Sequence, residues 1–161
     1  MTKLSNMNEG SLYVAEISRK ELILALISAG TNPRLAGVDF NALDMNRLDL
    51  TGANLRGARA QTANLREAIL RLANCSFVDF FSAVMVGCDL DAANCTGVNF
   101  TNANLTSARL SNANLTNANF NNANLTGANL KGANVTGVKF NEQTTWPDGK
   151  KGSQSNPAAY I

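Results

Sequence analysis

Every fifth residue from Leu35 to Phe140 is apolar, and the phase never slips across 22 positions. These positions hold eleven Leu, five Phe, two Met, two Cys, one Val and a single small residue, Ala60. Two residues before each lies a second register, filled by Ala at 14 of the 22 sites and by Val38, Val78, Val98 and Val138 among the rest. A period of five matches neither the 3.6 of a helix nor the 2 of a strand, so the repeating unit is supersecondary. Side chains alternate across extended backbone, which puts positions i−2 and i on one side and i−1 on the other. The two positions that follow hold mostly Asn, Thr, Ser, Gly, Arg and Lys, types that suit corners. Each pentapeptide reads as a short extended edge with two inward side chains, closed by a turn.

A longer period sets the number of edges. Phe takes the central position at 40, 80, 100, 120 and 140, all separated by multiples of 20. Val38-Asp39-Phe40, Val78-Asp79-Phe80, Val98-Asn99-Phe100 and Val138-Lys139-Phe140 repeat the same edge. Twenty residues per coil means four edges, and so an all-β solenoid of square cross-section. Residues 33–142 then make about five and a half coils, stacked ~4.8 Å apart into a rod roughly 26 Å long. Leu50, Leu70, Leu90, Leu110 and Leu130 fall in one inner ladder; Met45, Leu65, Met85, Leu105 and Leu125 fall in another. Burying a large central side chain contributes roughly 1.5–3 kcal/mol, mostly offset by chain entropy.

Ala113-Asn114-Leu115-Thr116-Asn117 and Ala123-Asn124-Leu125-Thr126-Gly127 show the repeating unit in full. This pattern resembles the pentapeptide-repeat family over about residues 33–142. The resemblance implies a right-handed quadrilateral β-helix; its handedness comes from the resemblance alone. Thr144-Thr145-Trp146-Pro147-Asp148-Gly149 also looks like the Trp-Pro ending found after such repeats. Some members of the family inhibit DNA gyrase or protect it from inhibitors, as rod-shaped dimers with strongly acidic surfaces.

A solenoid end exposes apolar core and unpaired backbone, so each end needs a cap. Ser18-Arg19-Lys20-Glu21 reads as a capping box before the apolar run Leu22–Ala29, with Gly30 and Pro33 as the stop. This predicts a capping α-helix over about 18–29, apolar on more than one face, within an N-terminal segment of residues 1–32. Leu12–Ile17 suits a short strand or a helix extension. Residues 143–161 are expected to form a C-terminal cap around Trp146, with 150–161 as a flexible tail. Leu22–Ala29 is also compatible with an export signal ending near Ala29. Glu16, Glu21 and the long polar lead-in argue against that and favour a cytoplasmic protein. No run is long enough to span a membrane.

Composition narrows the chemistry. Histidine is absent, which removes the commonest general base and metal ligand. Cys75, Cys88 and Cys95 follow neither a metal-ligand spacing nor a secreted disulfide framework. Cys75 and Cys95 lie one coil apart on one inward register, close enough in principle for a disulfide; buried reduced thiols are the plainer reading. Asp39, Asp44 and Asp49 sit on successive edges and do not converge. No catalytic, cofactor or metal site emerges, and no small-molecule substrate. Arg56, Arg59, Arg66 and Arg71 fall on four different edges, which disfavours nucleic acid as partner. The net charge of +2, with Arg109 alone among residues 92–130, disfavours a DNA mimic.

The outward registers carry what remains. Asn54, Asn74, Asn94, Asn114 and Asn134 could form an amide ladder between coils, and Asp39, Arg59 and Asp79 an ion-pair ladder. Ala60 interrupts the Phe ladder and predicts an apolar void or uneven packing there. Ile69, Leu72, Phe77, Phe81, Val84 and Val86 take positions that elsewhere hold polar residues or glycine. Either a local bulge tucks them away, or they form a contact surface for another protein or a second copy of the chain.

Overall fold

The structure is a computed structural model that describes residues 17–30 and 32–161. Its organising element is a parallel bridge between each outward i−1 residue and the one 20 residues on, from Arg34↔Asn54 to Asn119↔Lys139. Leu55 donates its N–H to Asn74 O at 2.8 Å, while Asn54 donates to Pro33 O at 2.8 Å. One coil is therefore four pentapeptides. We name the sides by their central residues: face one carries Leu55, Cys75 and Cys95; face two Phe80 and Phe100; face three Leu65 and Met85; face four Leu70 and Leu90.

The corners follow from the backbone. Ala58 N–H donates to Leu55 O at 2.9 Å, closing a β-turn whose third residue, Gly57, has φ 67°. The third residue is left-handed from corner to corner, whether glycine or not (Thr62 56°, Asn117 58°), and the second residue never is. That combination is a type II turn.

Outward Asn and Asp residues support these corners. Asn94 Oδ1 accepts from Thr96 N–H at 3.2 Å and from Thr96 Oγ1 at 2.7 Å. The same pair forms at Asn104–Thr106, Asn114–Thr116, Asn124–Thr126 and Asn134–Thr136. This corrects the expected amide ladder: the oxygens of Asn54, Asn74, Asn94, Asn114 and Asn134 are committed to their own corner, because a bond two residues away closes with little loop entropy. Inter-coil side-chain links occur elsewhere, as from Asn99 Nδ2 to Asp79 at 2.8 Å. Arg59 does reach Asp39 at 2.7 Å, but Asp79 accepts from Gln61 and Asn99, so the expected ion-pair ladder stops at one rung.

Both inward registers are buried almost without exception. Ala at i−2 lets the walls approach, and the rings of Phe80, Phe100 and Phe120 stack along the axis with centroids 5.6 and 5.2 Å apart. The three cysteines are free and fully buried. Burial pushes the Cys88 thiol well up, and a hydrogen bond with Cys75 together with burial does the same for Cys95. Protonated thiols are poor nucleophiles, so these groups act as small core residues.

At the N-terminal end, α1 (Arg19–Ala29) begins at Ser18, whose Oγ accepts from Glu21 N–H at 3.3 Å while Glu21 Oε2 accepts from Ser18 N–H at 2.8 Å. Leu22 is buried beneath it. Arg19 does what the sequence did not announce: its guanidinium donates to the carbonyls of Asp44 at 2.6 Å and Asn46 at 3.0 Å, both on the open edge of the first coil. Residues 1–16, including most of the Leu12–Ile17 stretch, lie outside the described residues.

At the C-terminal end the register slips by one residue, Asn124 bridging Thr145, which seats Trp146 beside Leu125 on face three. Trp146-Pro147-Asp148-Gly149 then reverses the chain. Gly149 N–H donates to Trp146 O at 2.9 Å, Gly149 has φ 83°, and Lys151 pairs antiparallel with Thr145. A type I turn followed by a left-handed glycine is a three-residue hairpin loop. Residues 150–161 do not form the expected tail. Short 3-10 turns at Gly152–Gln154 and Pro157–Tyr160 fold back over the cap. Tyr160 stacks on Trp146 with centroids 6.0 Å apart and its hydroxyl donates to Asp148 at 2.8 Å. An aromatic residue near the terminus supplies the apolar area that a tail would lack.

Replacing Arg19 with Gln removes the charged donor from two edge carbonyls. We expect a loss of about 1–2 kcal/mol in denaturant unfolding, with hydrogen exchange accelerating in the first coil before the rest.

Candidate protein-contact surface

The six outward apolar residues lie within an uninterrupted stretch of the solenoid. Bridges Asn64↔Val84 and Ile69↔Asp89 keep the 20-residue register through them, so no bulge or loop tucks them away. Leu72 is 67% exposed, Phe77 58% and Phe81 37%. Ile69, Val84 and Val86 are half-buried. All six fall within less than one coil, and so they form a belt around the rod. Leu72 and Phe77 stand at the two corners that bound face one. Phe81 stands between faces two and three, Val84 lies on face three, Val86 between three and four, and Ile69 on face four.

Local chemistry marks these residues as departures. Ile69 and Val84 occupy the outward position where Asn or Asp would cap the next corner, so no side-chain acceptor reaches Arg71 or Val86 N–H among the described residues. Leu72 and Phe77 hold the left-handed turn position with φ 58° and 59°. Left-handed backbone at a residue carrying Cβ costs roughly 1–2 kcal/mol. A leucine so exposed recovers little of that through burial.

Phe77 has one compensating contact. A Cβ built on Gly97, one coil further on, would lie 2.7 Å from the Phe77 ring, so the ring rests over the glycine. Asn117 and Gly137, at the same corner, repeat the relation. Corner side chains at these glycines lean toward the next coil, and Gly97 leaves room for the Phe77 ring.

The arginines also spread around the rod. Arg59 pairs with Asp39, and Arg71 with Asp91 at 3.3 Å and Asp89 at 3.7 Å. Arg56 and Arg66 are exposed and form no ion pair among the described residues, nor does Arg34. Leu24 (54% exposed) and Ile27 (73%) project from α1, in keeping with the expected helix apolar on more than one face. Sequence reasoning passed over Arg34, which continues face one toward that helix. No group of three or more Cys, Asp or Glu among the described residues is placed to hold a metal ion.

This arrangement is a four-sided parallel β-solenoid whose chemistry lies on its outer surface. The sequence profile of pentapeptide repeats matches in eight copies, with segments between residues 34 and 141. The chain belongs to the pentapeptide repeat family. Among solved structures, it is 33% identical to a pentapeptide repeat protein (Rfr23) from the cyanobacterium Cyanothece 51142, over 68% of this chain and 64% of that one, with a TM-score of 0.37. It is 27% identical to HetL, a pentapeptide repeat protein involved in heterocyst differentiation regulation from the cyanobacterium Nostoc sp. strain PCC 7120, over 75% of this chain and 62% of that one, with a TM-score of 0.32. It is 25% identical to QnrB1, a plasmid-mediated fluoroquinolone resistance protein, over 67% of this chain and 62% of that one, with a TM-score of 0.32. The chain thus spans less than two thirds of the length of each. Among curated proteins there is no significant sequence match.

Replacing Leu72 with Asn relieves left-handed strain and should raise unfolding stability by about 1 kcal/mol. Gly97→Ala should do the opposite by a similar amount, through both its positive φ and the Phe77 ring. Denaturant midpoints check both; a stabilising Gly97→Ala would refute this account of the corner.

Proposed function

We propose that this protein is a non-catalytic scaffold that binds another protein, or a second copy of itself, through its outer surface. The observation that carries this reading is the apolar belt. A fold that accepts Asn, Thr or Gly at these positions has no need of Leu72, Phe77 and Phe81 there, yet all three stand exposed. Large exposed apolar groups support a contact region where they stand together on an otherwise polar surface, as Leu72 and Phe77 do at the two corners of face one. The convex rod and the separation of Asp39, Asp44 and Asp49 onto different faces support the absence of catalysis. The architecture in this reading is a right-handed rod of about five and a half coils over residues 33–142. The helix α1, within the N-terminal segment 1–32, and the segment 143–161 close its ends, and its location is cytoplasmic. Among the described residues no helix is long and apolar enough to cross a membrane.

Modulation of DNA gyrase as a DNA mimic is the second reading, prompted by the family. It needs rows of negative charge. The chain is instead +2 overall, and Arg109 is the only charge between residues 92 and 130.

A pull-down with the wild type and with a chain carrying Leu72→Asp, Phe77→Asp and Phe81→Asp together tests the scaffold reading. We expect one specific protein partner, lost in the folded variant. A partner that the variant retains, or none at all, removes the case for the belt. Gyrase supercoiling at matched salt should be unaffected by the protein.

A further inference from the structure

Of the four sides, face one combines two features that the others do not. Its corners at one level carry Leu72 and Phe77, the two most exposed residues of the belt, flanking the edge Ala73-Asn74-Cys75-Ser76. Toward the N-terminal end the same face carries Arg34, bridged to Asn54, and Arg56 at its corner one coil before Ser76. Both arginines are exposed, and neither has an acidic partner among the described residues. The outward residues of this face are otherwise Asn54, Asn74, Asn94, Asn114 and Asn134, without a carboxylate. The acid nearest to it, Asp91, is neutralised by Arg71 at 3.3 Å. Face one is therefore a flat polar strip with two apolar posts and, one and two coils (about 5 and 10 Å) away, two arginines without an acidic partner among the described residues.

Resting on the scaffold reading, we propose that face one is the docking side and that its occupant is an extended acidic segment of another protein carrying a Phe or Leu anchor. The anchor sits between Leu72 and Phe77, and carboxylates reach Arg34 and Arg56. Charge decides the class of partner. A second copy placed face to face in parallel would set arginine on arginine. A side roughly 10 Å by 26 Å also offers only a few hundred Å² per partner, against the ~800 Å² of a stable dimer. Nucleic acid gains affinity from many phosphates neutralised together, and two free guanidiniums give it little. A short peptide needs neither a large area nor many charges, and it binds weakly.

The test is selection from a bead library of extended octapeptides built from Asp, Asn, Lys, Phe, Leu and Ser, using the full chain. Selected sequences are then titrated as fluorescein-labelled peptides. We expect enrichment of Asp near Phe or Leu, and binding that weakens with salt. Arg34→Glu with Arg56→Glu should lose about tenfold or more and shift the selection toward Lys. Phe77→Ser should lose binding, while Phe81→Asp and Val84→Asp, away from face one, should keep it; circular dichroism confirms that each variant is folded. Selection indifferent to Arg34 and Arg56 but lost in Phe81→Asp would overturn this proposal and leave the scaffold reading standing. Failure to enrich any peptide overturns it as well, and the pull-down then decides the broader reading alone. Stronger binding to oligo(dT) or to equimolar phosphatidylglycerol–phosphatidylcholine vesicles, abolished by the same double variant, would assign the face to nucleic acid or membrane and overturn it. So would self-association in sedimentation velocity that the double variant abolishes.

Discussion

The structure depends on one constraint: each coil's backbone must hydrogen-bond to the next with a fixed offset. Once Leu35 pairs with Asn54 and Leu55 with Asn74, every residue stands directly over the one 20 positions earlier. Core ladders, corner columns and outward columns all follow from that registration. The rings of Phe80, Phe100 and Phe120 stack with interplanar angles of 9° and 13° because they share one column. The same constraint makes Gly97 the ring rest of Phe77. A single extra residue between Lys139 and Thr145 is enough to end the repeat and bring Trp146 over the end.

Much of this was legible in the sequence because periodicity survives any detail of geometry. The five-residue period gave edges and the 20-residue period gave sides, and both rest on the alternation of side chains across extended backbone. What was not legible arose where a short-range interaction outcompetes a long-range one, or where residues far apart in the chain meet. The outward asparagines could bond between coils or to their own corners, and composition does not rank the two; the nearer corner wins in the structure. Arg19 meets the Asp44 and Asn46 carbonyls only because α1 lies across the first coil, a contact between residues 25 or more apart. Tyr160 anchors two short turns that have no periodicity to read. The apolar set was visible as a list, yet its six members surround the rod, as the arginines do.

The fold also explains why function is free to reside on the surface. Backbone ladders and inward side chains hold the solenoid, so outward and corner positions are constrained mainly by turn geometry. Asn, Thr and Gly satisfy that geometry best, and they form the background against which Leu72 and Phe77 stand out. Leu72 accepts left-handed strain with little burial in return, and Phe77 recovers its contact over Gly97; under the proposed function, contact with another molecule supplies the remainder.

Under the proposed function the belt serves contact and not folding. The most direct measurement combines Ile69→Asn, Leu72→Gly, Phe77→Asn, Phe81→Thr, Val84→Asn and Val86→Thr in one chain, then follows unfolding and partner capture side by side. The predicted outcome is a solenoid at least as stable as the wild type that captures no partner. A chain that loses stability, or one that retains its partner with the belt removed, would contradict it.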